Sequence, residues 1–295
     1  MAYFLGIDGG GSGCRAAVAD GSGRILGRGA AGPANISVET EGACANILAA
    51  ARAALQQAGR GRLEELTAVL GLAGANVTAA ARRLQAMLPF RRARILTDAA
   101  TAAAGALGDA DGIVVAVGTG SVLAVQAGGA VRQYGGRGFL LGDEGSGAVL
   151  GRALLAEALR TEDGFAPTTP LLRAVLDQLG GVEGVIGFGL RARPAEFAAF
   201  APRIVAGTDP AGERIFAAAV AQLGEMIQTL QAGRDLPVVF LGGLGPHYAA
   251  RLQGRWRLQA PLGTGLDGAL HLARRDEAGV NDPPPPAAQA ERSPR

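Results

Sequence analysis

The stretch that decides the fold is YFLGIDGGGSGCRAAVA, residues 3–19. Tyr3 to Asp8 is a short apolar run, glycines at 9, 10, 11 and 13 interrupt it, and Cys14 to Ala19 is a second β-prone run. Two such runs around a glycine-rich turn predict a hairpin. Asp20-Gly21-Ser22-Gly23 makes another turn into a third strand over Arg24 to Ala30. Three antiparallel strands in succession differ from the strand–glycines–helix opening of a Rossmann domain.

Reading outward, Thr40 to Ala58 is alanine-rich and predicts a helix, Ala68 to Ala73 a buried strand, Val77 to Met87 a helix and Arg94 to Thr97 a strand. Asp98 to Leu107 predicts another alanine-rich helix. The opening pattern then restarts. Gly112 to Val117 is an apolar strand, Gly118-Thr119-Gly120-Ser121 a tight turn, Val122 to Gln126 a strand, and Gly128-Gly129 turns into Val131 to Tyr134. The same module recurs about 110 residues later, too long a period for a solenoid, and predicts a duplicated α/β domain with a cleft between the copies. Helices follow over Gly147–Arg160, Pro170–Leu179, Pro194–Phe200 and Ala211–Gly233, then a strand over Pro237–Leu241 and a last helix over Gly265–Arg275. The remaining tail, with Pro283 to Pro286 and small or charged residues, predicts disorder.

Composition removes several classes of function. No apolar run approaches the length of a membrane span, and the N-terminus lacks the basic, apolar and cleavage regions of a secretory signal, so a cytoplasmic protein without membrane association is expected. Cys14 and Cys44 have neither metal-ligand spacing nor a disulfide pattern, and His247 and His271 are too few for a histidine cluster. A net charge of +2 without a basic block interleaved with aromatics argues against a nucleic-acid partner. All 28 basic residues are arginine. A Schiff-base lysine is therefore excluded, and so is a P-loop, whose lysine reaches the β- and γ-phosphates.

Phosphate recognition must then use another device. Backbone N–H groups of a glycine-rich turn form an anion-binding concavity because no Cβ blocks approach. Asp8-Gly9-Gly10-Gly11-Ser12-Gly13 has that form, with a Ser12 hydroxyl to add and Asp8 placed to hold a hydrated Mg²⁺; the same residues would also serve as an ordinary hairpin turn. Gly118-Thr119-Gly120-Ser121 repeats the device at the equivalent place of the second module, and two such turns facing each other would hold a phosphate chain. Asp98, between a strand and a helix, reads either as an N-cap or as a general base for a hydroxyl. Asp143 and Glu144 lie in the glycine-rich segment 135–147, placed to accept from sugar hydroxyls or to cap the following helix. Gly242-Gly243-Leu244 follows a buried strand, where bare backbone could lie against a nucleobase and ribose.

Taken together, Thr97-Asp98-Ala99-Ala100, Val117-Gly118-Thr119-Gly120-Ser121 and Gly135-Gly136 through Gly142-Asp143-Glu144-Gly145-Ser146, in that order and spacing, resemble the N-acetylglucosamine kinase and BadF/BadG/BcrA/BcrD-type ATPase family of the sugar kinase/actin/Hsp70 superfamily. The resemblance covers roughly residues 3 to 275. It implies two duplicated ribonuclease H-like, actin-like ATPase domains, one from residues 1–108 plus about 264–276 and one from 109–263, with a disordered tail over 277–295. It implies an ATP- and Mg²⁺-dependent kinase that phosphorylates the 6-hydroxyl of glucosamine or N-acetylglucosamine, and it leaves room for a homodimer. Asp8, Gly9, Gly10, Gly11 and Ser12 would form the first phosphate motif, with Asp8 near Mg²⁺ through water. Gly118, Thr119, Gly120 and Ser121 would form the second, and Gly242, Gly243 and Leu244 the adenosine motif. Asp98 would be the base, and Asn35, Arg137, Gly138, Asp143 and Glu144 would line the sugar pocket. Members of this family commonly carry tryptophan where this chain has Arg137, a departure that opens the acceptor to a muramic-type or other sugar. An alternative within the family is an activator ATPase with an iron–sulfur cluster held by cysteines, whose pattern Cys14 and Cys44 do not match.

Overall fold

The computed structural model describes residues 3–277. The described residues divide into two compact units, residues 3–112, 124–133 and 260–277 in the first and 113–123 with 134–259 in the second.

The first sheet holds β1 (Tyr3–Gly9), β2 (Cys14–Ala19), β3 (Ile25–Ala31), β4 (Leu66–Leu72) and β5 (Arg92–Thr97), in the order β3-β2-β1-β4-β5. β1, β2 and β3 are successive antiparallel neighbours, and β4 and β5 continue parallel to β1. The alternation of β1 sends Leu5 and Ile7 to a face covered by α1 (Thr40–Ala58), where Ile47, Ala50 and Ala54 close the core. Phe4 points to the other face and packs on Leu266 and Leu270 of α11 (Gly265–Glu277). α2 (Thr78–Met87) joins β4 to β5, and α3 (Asp98–Leu107) follows β5 directly. α3 and α11 approach through glycine. A Cβ on Gly105 would lie 1.9 Å from the Thr264 carbonyl oxygen, and one on Gly268 would lie 2.0 Å from that of Thr101.

The second sheet repeats the plan. β6 (Gly112–Val117), β7 (Ser121–Ala127), β8 (Ala130–Gly135) and β9 (Val238–Leu241) lie in the order β8-β7-β6-β9, with β6 parallel to β9 as β1 is to β4. Between β8 and β9 come α4 (Gly147–Glu162), α5 (Pro170–Leu179), α6 (Gly181–Arg191), α7 (Pro194–Ala198), α8 (Ala201–Val205) and α9 (Pro210–Gln231), where the first unit has α1 and a single 3-10 turn, Leu63–Glu65. α10 (Gly245–Arg251) follows β9.

Several expectations need correcting. α6 has glycines at 181, 184, 187 and 189, which lower helix propensity enough to hide it from a local reading. Phe188, stacked edge-on against Phe197 and Phe200 at 5.2 and 5.8 Å between centroids, supplies tertiary packing instead. The helix expected over Pro194–Phe200 is two short ones, split ahead of Pro202. α10 has no counterpart in the sequence reading. The last helix continues through Asp276 and Glu277, where Glu277 accepts from Thr67 and Arg91 at 3.0 and 2.8 Å. Glu277 is thus helical rather than tail; the rest of the expected disordered tail, residues 278–295, lies outside the described residues.

Candidate functional site

In the first unit the C-terminal ends of the three parallel strands are level. Gly9 pairs with Leu72, and Leu72 with Thr97. Asp8 stands one residue before that line and Asp98 one residue after it. Such strand ends are where open parallel sheets place ligands, because helices and turns diverge there. The first turn is closed by the Gly10 N–H donating to the Gly13 carbonyl at 2.9 Å. Positions for a Cβ on Gly10 and Gly11 are free of neighbours within 4 Å, so the backbone of the turn is open to approach. Gly9 differs, since a Cβ there would meet Leu72 and Ala34 at 2.8 and 2.9 Å, which makes it a packing glycine. Asp8, Gly10, Ser12, Gly13 and Arg15 line a cavity of about 480 Å³.

Arg15 was absent from the sequence reading. It sits directly across the hairpin from Asp8, and its guanidinium donates to the Asp8 carboxylate at 2.5 Å. Its side chain is 65% exposed, so the cation faces the cavity and not the core. The hairpin register would have found it, because antiparallel partners either side of a short turn share a face.

Asp98 is not a cap. Thr97 holds the N-cap of α3, its hydroxyl accepting from the Ala100 N–H at 3.2 Å. Asp98 is the first helical residue and accepts from the adjacent Ala99 N–H at 2.9 Å. Burial raises its pKa above the ordinary carboxylate value; the Ala99 amide opposes this and the charge of Asp8 adds to it. A carboxylate released from capping and shifted toward neutrality is suited to taking a proton. Asn35 is suspended between the ends of β1 and β4, where the Ala34 N–H donates to Gly10 at 2.8 Å and the Ile36 N–H to Ala73 at 3.1 Å. Its side-chain oxygen is engaged by the Ser37 N–H and hydroxyl in a local turn.

The second unit builds an analogous edge without charge in its first turn. Gly118 N–H donates to Gly120 at 2.9 Å, as Gly10 does to Gly13. The Gly118 and Thr119 carbonyls accept from Gly147 and Ala148 at the start of α4, and the Leu244 N–H donates to Val117. Gly242 adopts φ +83, and a Cβ on it would lie 2.3 Å from the Val117 oxygen, so no other residue fits there. The turns 118–121 and 242–244 therefore meet at the end of β6.

Segment 137–146 closes on the same place. Ser146, and not Asp143, caps α4, accepting from the Val149 N–H at 3.2 Å. Asp143 has a left-handed backbone, φ 57, unusual outside glycine. Its carboxylate accepts from the Gly138 N–H at 3.2 Å and lies where a Cβ on Gly120 would be 2.9 Å away. Burial raises its pKa, the Gly138 and Ser121 amides oppose the shift, and the Glu144 charge adds to it. The Glu144 main-chain carbonyl accepts from the Ser121 hydroxyl at 2.7 Å. Arg137 is exposed. Each unit thus gathers its own share of the expected residues: Asp8 to Ser12, Asn35 and Asp98 in the first, and 118–121, 137–144 and 242–244 in the second.

The BadF/BadG/BcrA/BcrD ATPase family matches residues 5–252, most of the chain and both edges just described. The chain belongs to that family. Among relatives, the chain is similar to the glucosamine kinase GspK of Vibrio cholerae, 29% identical over 291 residues that cover 94% of this chain and 97% of that protein. The N-acetylmuramic acid/N-acetylglucosamine kinase of Clostridium acetobutylicum is 32% identical over 189 residues, 61% of this chain and 60% of that one. A solved structure of a candidate N-acetylglucosamine kinase from Chromobacterium violaceum superposes with a TM-score of 0.85 at 33% identity, covering 92% of this chain and 99% of that chain. Within the family, a cysteine-held cluster has no footing here. Cys14 and Cys44 are 1% and 3% exposed in the core of the first unit, and burial, with the Asp8 charge, pushes the Cys14 thiol up to about 12. No described helix is long and apolar enough to cross a membrane.

Proposed function

We propose that this chain is an ATP-dependent amino-sugar kinase that transfers the γ-phosphoryl group to the 6-hydroxyl of glucosamine or N-acetylglucosamine. The observation that carries the proposal is Asp98, a carboxylate one residue past the strand-end line and two strands from the glycine turn, outside the N-cap of its helix and held above its usual pKa. A primary hydroxyl is a weak nucleophile until its proton has an acceptor, and Asp98 is the acceptor. The oxygen attacks the γ-phosphorus in line, ADP leaves, and the proton passes to the Asp98 carboxylate.

The turns at 8–12 and 118–121 each bind phosphate, one in each of two duplicated ATPase-like domains, residues 1–108 with 264–276 and 109–263. Gly242, Gly243 and Leu244 hold the adenosine. Arg15 supplies the cation of the first turn in a lysine-free chain, since a guanidinium matches phosphate geometry. A carboxylate beside an open glycine turn fits a hydrated Mg²⁺, which Asp8 would hold through water. When bound, the ion neutralises charge on the transferring group. Asn35, Gly138, Asp143 and Glu144 bind the sugar. Arg137, in place of a covering aromatic, favours a substituent that carries negative charge, so a muramic-type sugar is the second acceptor to examine; the 32% identity to a kinase named for N-acetylmuramic acid supports including it. The enzyme works in the cytoplasm, where ATP is available.

The test is a coupled ADP-release screen over glucosamine, N-acetylglucosamine, N-acetylmannosamine, muramic acid and glucose. Release that depends on one of the amino sugars is expected. ATP turnover indifferent to every sugar would remove the kinase reading.

A further inference from the structure

The loop that carries Asp143 and Glu144 is held by two hydroxyl groups. The Glu144 carbonyl accepts from Ser121 of the phosphate turn at 2.7 Å. The next carbonyl, that of Gly145, accepts from the Tyr248 hydroxyl at 2.6 Å. Tyr248 lies on α10, which begins directly after the turn at 242–244. Its own N–H donates to Leu244 at 3.2 Å, and Leu244 N–H donates in turn to Val117 at the end of β6. The Tyr248 ring is 0% exposed and meets Phe216 edge-on at 5.0 Å between centroids.

Resting on the kinase reading above, we propose that Tyr248 is a positioning residue that ties loop 142–146 to the nucleotide turn, so that the groups which receive the sugar keep a set register against those which hold ATP. Packing alone would be met by phenylalanine; the hydroxyl is what distinguishes the residue. The loop has a local reason to need it. Asp143 sits at φ 57 and Gly145 at φ 72. A non-glycine residue in the left-handed region persists only where surrounding contacts over-determine it. A Cβ on Gly145 would lie 2.7 Å from Leu223 and 2.9 Å from the Tyr248 oxygen, so the chain passes close to the hydroxyl with no side chain between. Removing the hydroxyl leaves the Gly145 carbonyl in a buried site without this donor, and the strained turn then relaxes toward other conformations.

Tyr248→Phe, with Thr161→Val as a matched control, decides it. Thr161 makes the same kind of buried hydroxyl-to-carbonyl bond, to Ala158 at 2.7 Å, inside α4 and away from the loop. For Tyr248→Phe, amide exchange of residues 142–147 should rise about tenfold while α9 stays unchanged, the effect of losing one buried hydrogen bond locally. kcat should fall and the sugar KM rise, each severalfold, with the ATP KM within about twofold of wild type. Thr161→Val should leave the loop and both KM values as they are. Loop exchange equal to wild type, or a rise spread evenly over residues 134–259, would reduce Tyr248 to a packing residue. A wild-type enzyme that phosphorylates none of the sugars counts against the kinase reading and not against the tie, which the exchange rates decide independently.

Discussion

The two β-hairpin modules share a backbone and differ in charge. Both run strand–glycine turn–strand–strand, both receive a parallel strand on the same side of the first strand, and both close the turn with an N–H to carbonyl bond of 2.9 Å. In the first, the residue two before the turn glycine is Asp8, faced by Arg15, with Asp98 two strands away. In the second, the equivalent position before Gly118 is Ala116, and the acid that reaches the turn, Asp143, comes from a loop. The two modules share a cradle of main-chain donors; an acid on the first strand, two residues before the turn glycine, stands in the first copy and alanine in the second. Under the proposed function the first edge would react and the second would hold.

That contrast can be broken at several points. Asp98→Asn should fold and bind ATP but lose sugar phosphorylation by about two to four orders of magnitude, the usual contribution of a general base; single-turnover rates near wild type would end the base assignment. Gly242→Ala should be the most damaging change to the holding edge, by more than about 2 kcal/mol, because a Cβ meets a backbone oxygen and φ is left-handed. Gly118→Ala, with no neighbour within 4 Å, should leave the melting temperature almost unchanged, so equal losses from the two would contradict the geometry. Arg15→Gln should raise the ATP KM about tenfold, the scale of one charge-assisted contact, and lower kcat less. If only the sugar KM moves, Arg15 does not serve the phosphates.

The smallest expected effect concerns stability. The folded protein raises the pKa of Asp98 above its unfolded value. Its protonated form is thus the one folding favours; the benefit is complete below the unfolded pKa and is lost as pH rises through the folded one. Asp98→Asn should therefore melt slightly higher than wild type at neutral pH, with the gap closing as pH falls toward the carboxylate range. A gap that widens on acidification would reverse the sign. Activity should show the complementary acid limb, falling as Asp98 takes up its proton.

What could be read without coordinates was local. The hairpin of residues 3–19, the restart at Gly112 and the glycine turns are short-range features, since turn chemistry is written in consecutive residues. Asp98 was found for its place after a strand, although its alternative role, the N-cap, belongs to Thr97 one residue earlier. Asp143 likewise yields its cap to Ser146. Arg15 and Tyr248 escaped notice because their roles depend on approach in space, across a strand pair for one and over 103 residues of chain for the other. α6 was hidden by its own glycines; buried Val185 and the packing of Phe188 on Phe197 and Phe200 hold it in place. The acceptor stayed open because Arg137 departs from the family pattern at the position that would cover the sugar.

The most direct measurement is phosphorus NMR of the product formed from ATP and the amino sugar that best drives ADP release. The account predicts a phosphate monoester coupled to the two C6 protons of the sugar, formed in step with ADP and lost in Asp98→Asn. Inorganic phosphate with unaltered sugar, or an ester that forms equally well in Asp98→Asn, would contradict it.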